Sequence, residues 1–344
     1  MTMKVKPLCA LFGACGGCRY QDIPYEEELI LKGRELRELL TKTLVLDDEV
    51  FNEVTPSPQP YFYRNRLDLT FRKDREGKWR MGFMLENTHR LEEVGACPIA
   101  RQEVNDFLPR LKEEAIRIAP PKYHNANLVV RVGEEGKVFW GGIGRHSLRM
   151  KPEDYFWVTV RGRKIFYSLD TFFQANLSIL DQVISVLEAN IAWTKNTVFL
   201  DLYSGVGLFG IALADLASKV IMIESGYDSV RLARHNAGHH GFKHIEILEG
   251  QVEVHLPEVV KDLGGENSVA LIDPPRSGLM KPVIDKLCET KDLKELWYLS
   301  CSPEALVRDL EKLLAGGWKV KKIFPFDFFP RTKHLETLVC LVRS

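Results

Sequence analysis

No run of 18 or more apolar residues occurs, which excludes a helical membrane span. Neither sign of charge is in excess. Lys plus Arg and Asp plus Glu number 47 each, so overall charge argues neither for nor against a nucleic-acid partner; only the arrangement of charges can. There is no internal repeat and no low-complexity tract, which sets aside solenoids and disordered tails. Met1–Pro7 is too short and too polar for a signal peptide. The chain is therefore expected in the cytoplasm, where disulfides are rare. Cysteine is scarce, at seven in 344 residues, and odd in number. In a reducing compartment, clustered cysteines point to metal binding or catalysis.

What is present is an ordinary globular composition, 45% hydrophobic and 27% charged, in a chain long enough for more than one domain. Residues 25–41 read as a charged amphipathic helix with Leu29, Leu36, Leu39 and Leu40 toward one side. A Pro-rich connector, Thr55 to Pro60, follows. Short alternating segments then recur from about 63 to 168, separated by Gly-containing turns and interrupted by a helix near 99–118, which predicts an antiparallel β region. Within it, Arg64, Arg66, Arg72, Lys73, Arg75, Lys78 and Arg80 lie among Tyr61, Phe62, Tyr63 and Trp79. That interleaving suits phosphate contact and base stacking, and equally a solvated hairpin with charged outer positions.

After Phe173 a helix is expected over 174–192, followed by apolar strands alternating with helices to the end of the chain, the pattern of βαβ units on a mostly parallel sheet. The last two strands, 319–324 and 335–342, have no helix between them and are expected to form an antiparallel hairpin. The domains expected are 1–60, 61–170 and 171–344.

Three strand tips carry chemistry. The strand ending at Tyr203 leads into Ser204-Gly-Val-Gly207, a turn whose backbone can approach a ligand closely ahead of a helix N-terminus. The next strand ends at Glu224, placed to hydrogen-bond a ribose diol or to neighbour a helix cap. Further on stands Asp273-Pro-Pro-Arg276, a methyltransferase feature in which Arg276 occupies the place an aromatic takes in adenine-N6 enzymes. No Cys lies in this loop, unlike RNA cytosine-5 enzymes.

Cys301 ends a later strand just before a helix N-terminus, a place that stabilises a thiolate, although a Cys at a strand end is also a common buried apolar residue. Glu336 begins the last strand, as a base or as a turn residue. Methylation of carbon 5 of a pyrimidine needs both groups: a thiolate to add to carbon 6, and a base to remove the carbon-5 proton afterwards. Cys9, Cys15 and Cys18, with Cys97 further on, supply four thiols suited to tetrahedral zinc or to an iron–sulfur cluster. Cys288 and Cys340 sit in apolar contexts and read as core.

On these residues the sequence resembles the RNA (uracil-5-)methyltransferase family. The matches are Tyr63-Arg-Asn-Arg66, Phe172-Phe-Gln-Ala-Asn176, Asp201 to Gly207, Asp273 to Arg276, Ser300-Cys301 with Arg308-Asp309, and Phe329-Pro330 through Thr332, His334 and Glu336. The resemblance implies an α/β, class I (Rossmann-like) methyltransferase domain behind an N-terminal iron–sulfur segment and an antiparallel β-rich domain. It implies S-adenosylmethionine as cofactor, Cys301 as nucleophile and Glu336 as base, with Gln174, Tyr203, Glu224, Gln251 and Asp273 around cofactor and target. The cysteine spacing is similar to that of the family's iron–sulfur branch, which turns the reading of Cys9, Cys15, Cys18 and Cys97 to [4Fe-4S], with zinc as the alternative.

The expected partner is RNA, ribosomal in preference to transfer RNA, bound by a monomer at an unstacked uridine. With eight residues ahead of Cys9, the additional RNA-binding barrel common in that branch is expected to be absent. Ser302, where relatives usually have Asn, and Leu208, where a polar residue is frequent, depart from the pattern. A cytosine-5 or DNA methyltransferase and a non-catalytic RNA-binding iron–sulfur protein are the rival readings.

Overall fold

The computed structural model of the chain describes residues 4–85, 88, 90–144, 147–263 and 267–343; Met1, Thr2 and Met3, part of the polar start read against a leader peptide, lie outside these. Among the described residues no helix is long and apolar enough to cross a membrane.

The first helix, α1 (Tyr25–Thr41), falls where its periodicity puts it, but it buries Glu28 and Lys32 ahead of Leu36 and Leu40. Its inner face is thus half ionic. Leu36 and Leu40 pack into the core on one face of the large sheet described below.

Alternating apolar residues then build a five-stranded antiparallel sheet from β1 (Arg66–Lys73), β2 (Trp79–Met84), β3 (Leu91–Glu93), β4 (Asn125–Val132) and β5 (Val138–Gly141), in the order β3-β2-β1-β4-β5. Leu67, Leu69 and Phe71 of β1 face inward, and α2 (Gln102–Ile118) covers them with Val104, Leu108 and Leu111. The short edge strand β3 was not anticipated from sequence. Next, β6 (Phe156–Val160) and β7 (Arg163–Tyr167) form a two-stranded unit. Its inward residues Phe156, Val158, Val160, Ile165 and Tyr167 share one core with the large sheet.

The helix expected from residue 174 begins only at α3 (Leu180–Asn190). The approach to it is drawn sideways instead. The Asn65 N–H donates to the Ala175 carbonyl at 2.9 Å, and Asn176 Nδ2 donates to Ser57 Oγ at 2.9 Å and to the Phe328 carbonyl at 3.1 Å.

Strands and helices then alternate: β8 (Val198–Leu202), α4 (Leu208–Ala212), β9 (Lys219–Glu224), α5 (Tyr227–His239), β10 (Ile245–Glu249), α6 (Val252–Val259), β11 (Ser268–Ile272), α7 (Lys281–Glu289), β12 (Leu293–Ser300), α8 (Pro303–Ala315), β13 (Trp318–Phe326) and β14 (Glu336–Arg343). The sheet order is β10-β9-β8-β11-β12-β14-β13. Strands β8 to β12 run parallel, and β14 is antiparallel to both β12 and β13, so the expected terminal hairpin is present. The order reverses between β8 and β11, which opens a crevice at their carboxyl ends, the usual ligand position of such sheets.

Candidate active site at the carboxyl edge of the sheet

Asp201, next to last in β8, is fully buried, and its Oδ2 accepts the Gly210 N–H at 2.7 Å. Only glycine fits at 210, because an added Cβ would lie 2.5 Å from Met222 Sδ and 3.0 Å from Asp201 Oδ2. Between them the chain turns through positive φ at Tyr203 (63°), Gly205 (56°) and Gly207 (85°). At the end of β9 the Glu224 carboxylate braces this turn, accepting the N–H of Gly205 at 3.0 Å and of Gly226 at 2.6 Å. A carboxylate offers about four acceptor positions, so two such bonds leave capacity for a diol. Tyr203, Glu224, Gln251 and Asp273 thus follow the carboxyl ends of β8, β9, β10 and β11, adjacent strands of one sheet. Gln174 is buried on the approach to α3, and its carbonyl accepts Asn65 Nδ2 at 3.2 Å.

Cys301 is one residue past β12, and Glu336 is the first of β14. Ser300 faces Thr337 in the antiparallel register, so Cys301, just past the end of β12, and Glu336, at the start of β14, each lie one residue from that pair. Cys301 is half-buried and Glu336 buried. Burial, with the Glu336 and Asp273 carboxylates adding, pushes the Cys301 thiol up to about 11, against the opposing pull of Arg276. Burial and then Asp273 push Glu336 up to about 8, again against Arg276. Asp273 itself is pushed up to about 7 by burial and by Asp201. Desolvation and the two carboxylates oppose the thiolate expected at the terminus of α8, where Ser302 Oγ accepts the Ala305 N–H at 3.4 Å.

The Asp273–Arg276 loop is clamped by residues of α8. Asp309 Oδ2 accepts the Leu279 N–H at 2.7 Å and the Tyr298 hydroxyl at 2.8 Å, and Arg308 donates to the Ser277 carbonyl at 2.6 Å. Arg276, which the sequence offered only as evidence against another chemistry, is the cation whose field reaches Cys301, Glu336 and His334 together. A cleft of about 580 Å³ opens on Cys301, with Arg19, Arg276, Lys333 and His334 in its wall. The basic run of the β region behaves otherwise. Arg66 pairs with Asp68 at 2.7 Å, Arg80 with Asp74 at 3.0 Å and with Glu93, and Lys73 lies over the Trp79 ring. Arg66, Arg80 and Lys73 are thus engaged as a solvated hairpin would have them.

Cys9, Cys15, Cys18 and Cys97 converge on the wall of a second cavity of about 290 Å³, together with apolar Leu67, Phe83 and Ile99. Burial pushes the Cys18 thiol up to about 12, the other three thiols adding and Gln21 opposing. Gln21 is buried, its Oε1 accepts the Cys9 N–H at 3.0 Å, and its Nε2 has no hydrogen-bond partner. Among the described residues no group of three or more His, Cys, Asp or Glu side chains is arranged to hold a metal ion. Cys340 is buried, and Cys288 is half-buried against Gly316.

Residues 153–344 match the family model described as tRNA (uracil-5-)-methyltransferase. An uncharacterized RNA methyltransferase of Thermotoga maritima is 28% identical over 387 residues, covering 99% of this chain and 85% of that protein. One from Clostridium tetani is 28% identical over 395 residues, covering 100% and 85%. The fold is shared with the Pyrococcus abyssi tRNA (uracil-54, C5)-methyltransferase solved with S-adenosyl-L-homocysteine, at a TM-score of 0.73 and 23% identity over 94% of this chain and 84% of that one.

Proposed function

The chain belongs to the tRNA (uracil-5-)-methyltransferase family, and from that premise we propose that Cys301 and Glu336 are the nucleophile and base of an S-adenosylmethionine-dependent methylation of uridine carbon 5 in ribosomal RNA. The chain is an RNA methyltransferase. The observation that carries the residue assignment is that Cys301 and Glu336 each flank the Ser300–Thr337 pair and that Glu336 and Asp273 both act on the Cys301 thiol at the carboxyl edge of the sheet.

The residues fit the cofactor: the Gly205–Gly207 turn permits close backbone approach, Glu224 keeps acceptor capacity, and Asp201 Oδ1 is buried without a partner. Tyr203, Glu224, Gln251, Asp273 and Gln174 would hold it. When bound, it supplies an electrophilic methyl group on sulfonium. Cys301 Sγ, once deprotonated, forms a bond to carbon 6 of the uracil, and the π pair moves toward carbon 5 and O4, which makes carbon 5 nucleophilic. After carbon 5 carries the methyl, the Glu336 carboxylate takes its remaining proton. The freed pair rebuilds the 5,6 double bond, and the sulfur–carbon bond breaks to release Cys301 as thiolate.

The four-thiol cavity supports an iron–sulfur cluster held by Cys9, Cys15, Cys18 and Cys97. All four thiols line it together, with the Gln21 side chain beside Cys18. The cluster's role in this reading is to fix residues 9–18 against the β domain. Ribosomal RNA is the first reading because the cysteine spacing resembles the iron–sulfur branch of the family. Transfer RNA is the second reading, favoured by the description of the matching family and by the tRNA uracil-54 specificity of the Pyrococcus abyssi enzyme that shares the fold.

Labelled methyl transfer to ribosomal and transfer RNA transcripts tests both. Wild type is expected to make 5-methyluridine and Cys301→Ala none. Equal incorporation by the two would remove the nucleophile, and no incorporation on any RNA would remove the activity. Protein purified without oxygen is expected to be brown with iron and sulfide; a colourless zinc protein would overturn the cluster.

A further inference from the structure

The cleft that opens on Cys301 is assembled from distant parts of the chain. Arg19 comes from the cysteine segment, Arg276 from the loop after β11, and Lys333 and His334 from the loop before β14. Arg19, Arg276 and Lys333 are exposed. Elsewhere Arg161, for one, is paired with Glu188 and Asp215. Arg19, Arg276 and Lys333 have no ion-pair or hydrogen-bond partner for their side chains among the described residues, and Arg19 only leans over the Tyr20 ring. The other cation of the cleft, Lys32, is neutralised by Glu28 and Asp327. Of its two carboxylates, Glu35 is engaged by the Tyr20 hydroxyl, and Glu304 is exposed at the start of α8. Along the cleft wall the cations outnumber the carboxylates.

A uracil ring is neutral at working pH and needs no such field. The phosphodiesters on either side of an extruded nucleotide do, and they enter a cleft with it. Arg276 acts on Cys301 and Glu336 and belongs to the site already described. Arg19 and Lys333 remain, and the backbone ties them together. The N–H groups of Arg19 and Tyr20 both donate to the Arg331 carbonyl, at 2.7 and 3.1 Å, two residues before Lys333. Resting on the RNA reading above, we propose that Arg19 and Lys333 are positioning residues that grip the phosphates flanking the extruded uridine. Because Arg19 directly follows Cys18, the cysteine segment supplies part of the RNA grip.

The test measures binding of a hairpin RNA with loop uridines across salt concentrations, and methylation by the same proteins, for wild type, Arg19→Ala, Arg19→Lys, Lys333→Ala and the double variant. Each alanine is expected to weaken RNA binding about tenfold and to lower the slope of log affinity against log salt by about 0.7 to 1. It should raise KM for RNA while kcat at saturation and affinity for S-adenosylmethionine hold, and Arg19→Lys should keep the wild-type slope. Unchanged affinity and slope in both alanine variants overturns the proposal. So does a loss confined to kcat, or an Arg19→Lys variant as weak as Arg19→Ala. Wild type that methylates no RNA would sink the activity reading instead, while the salt slopes still decide the grip.

Discussion

At the scale of single residues, the chemistry needs charges that the fold resists. Cys301 must lose a proton to add to carbon 6 and Glu336 must be ionised to accept one, yet burial and mutual repulsion push them up to about 11 and about 8. The methylation rate is therefore expected to climb with pH from about 6 to about 8, by up to about tenfold per unit while one proton limits it. A flat single-turnover profile over that range would contradict the assignment. Glu336→Gln cannot take the carbon-5 proton, so a methylated RNA–protein adduct that survives denaturing gels is expected, with turnover down about 10²- to 10⁴-fold.

The same residue bears on stability. A carboxyl raised from its usual 4.5 to about 8 is favoured neutral in the fold. Its ionisation therefore costs stability increasingly as pH rises through that window. Glu336→Gln is expected to melt higher than wild type at about pH 9 and equally near pH 4.5, as a fluorescence melt would read. Cys301 and Glu336 could be proposed from the sequence because the reaction demands those groups at strand tips. Their protonation could not, because it depends on Asp273 and Arg276, which only folding brings beside them.

At the scale of elements, the strands of the large sheet were legible to within a few residues, since β8, β9, β11, β12 and β14 each bury a continuous apolar run. The inner face of α1 was not. Its Leu stripe runs into Glu28 and Lys32, whose partners lie some 300 positions away. Lys32 Nζ meets Glu28 at 2.7 Å and Asp327 at 2.7 Å, and the Arg331 N–H donates to Glu28 at 2.7 Å, with all three side chains of the triad at most 1% exposed. Tyr25 adds its hydroxyl to Asp327 at 2.9 Å. Removing the one central cation strands two buried carboxylates, so Lys32→Met is expected to cost about 3–5 kcal/mol. Because Asp327 and Arg331 shape the loop before Glu336, activity should fall further than stability alone predicts. A urea titration with the wild-type slope but an unchanged midpoint would show that the triad does not matter.

At the scale of the molecule, the loop from Asp327 to Leu335 is where the separate parts meet. The Tyr63 hydroxyl donates to the Pro330 carbonyl at 3.1 Å, Asn176 donates to the Phe328 carbonyl, and the segment after Cys18 donates twice to Arg331. Arg331 holds a φ of 68° there, a conformation that needs such support. The cysteine segment is irregular backbone with little core of its own, and in the cluster reading proposed above the joining of Cys9, Cys15 and Cys18 to Cys97 across the cavity would hold it. Loss of one ligand should release that end without unfolding the large sheet, which has its own two-sided core. Cys97→Ser is accordingly expected to lose its colour, to be cut by trypsin at Arg19 under conditions where wild type resists, and to bind RNA about tenfold more weakly as Arg19 loses its place. Its seven-stranded domain should still bind S-adenosylmethionine. If Cys97→Ser keeps Arg19 protected and RNA affinity intact, the four thiols do not tie the segment to the active site, and the backbone contacts to Arg331 suffice by themselves.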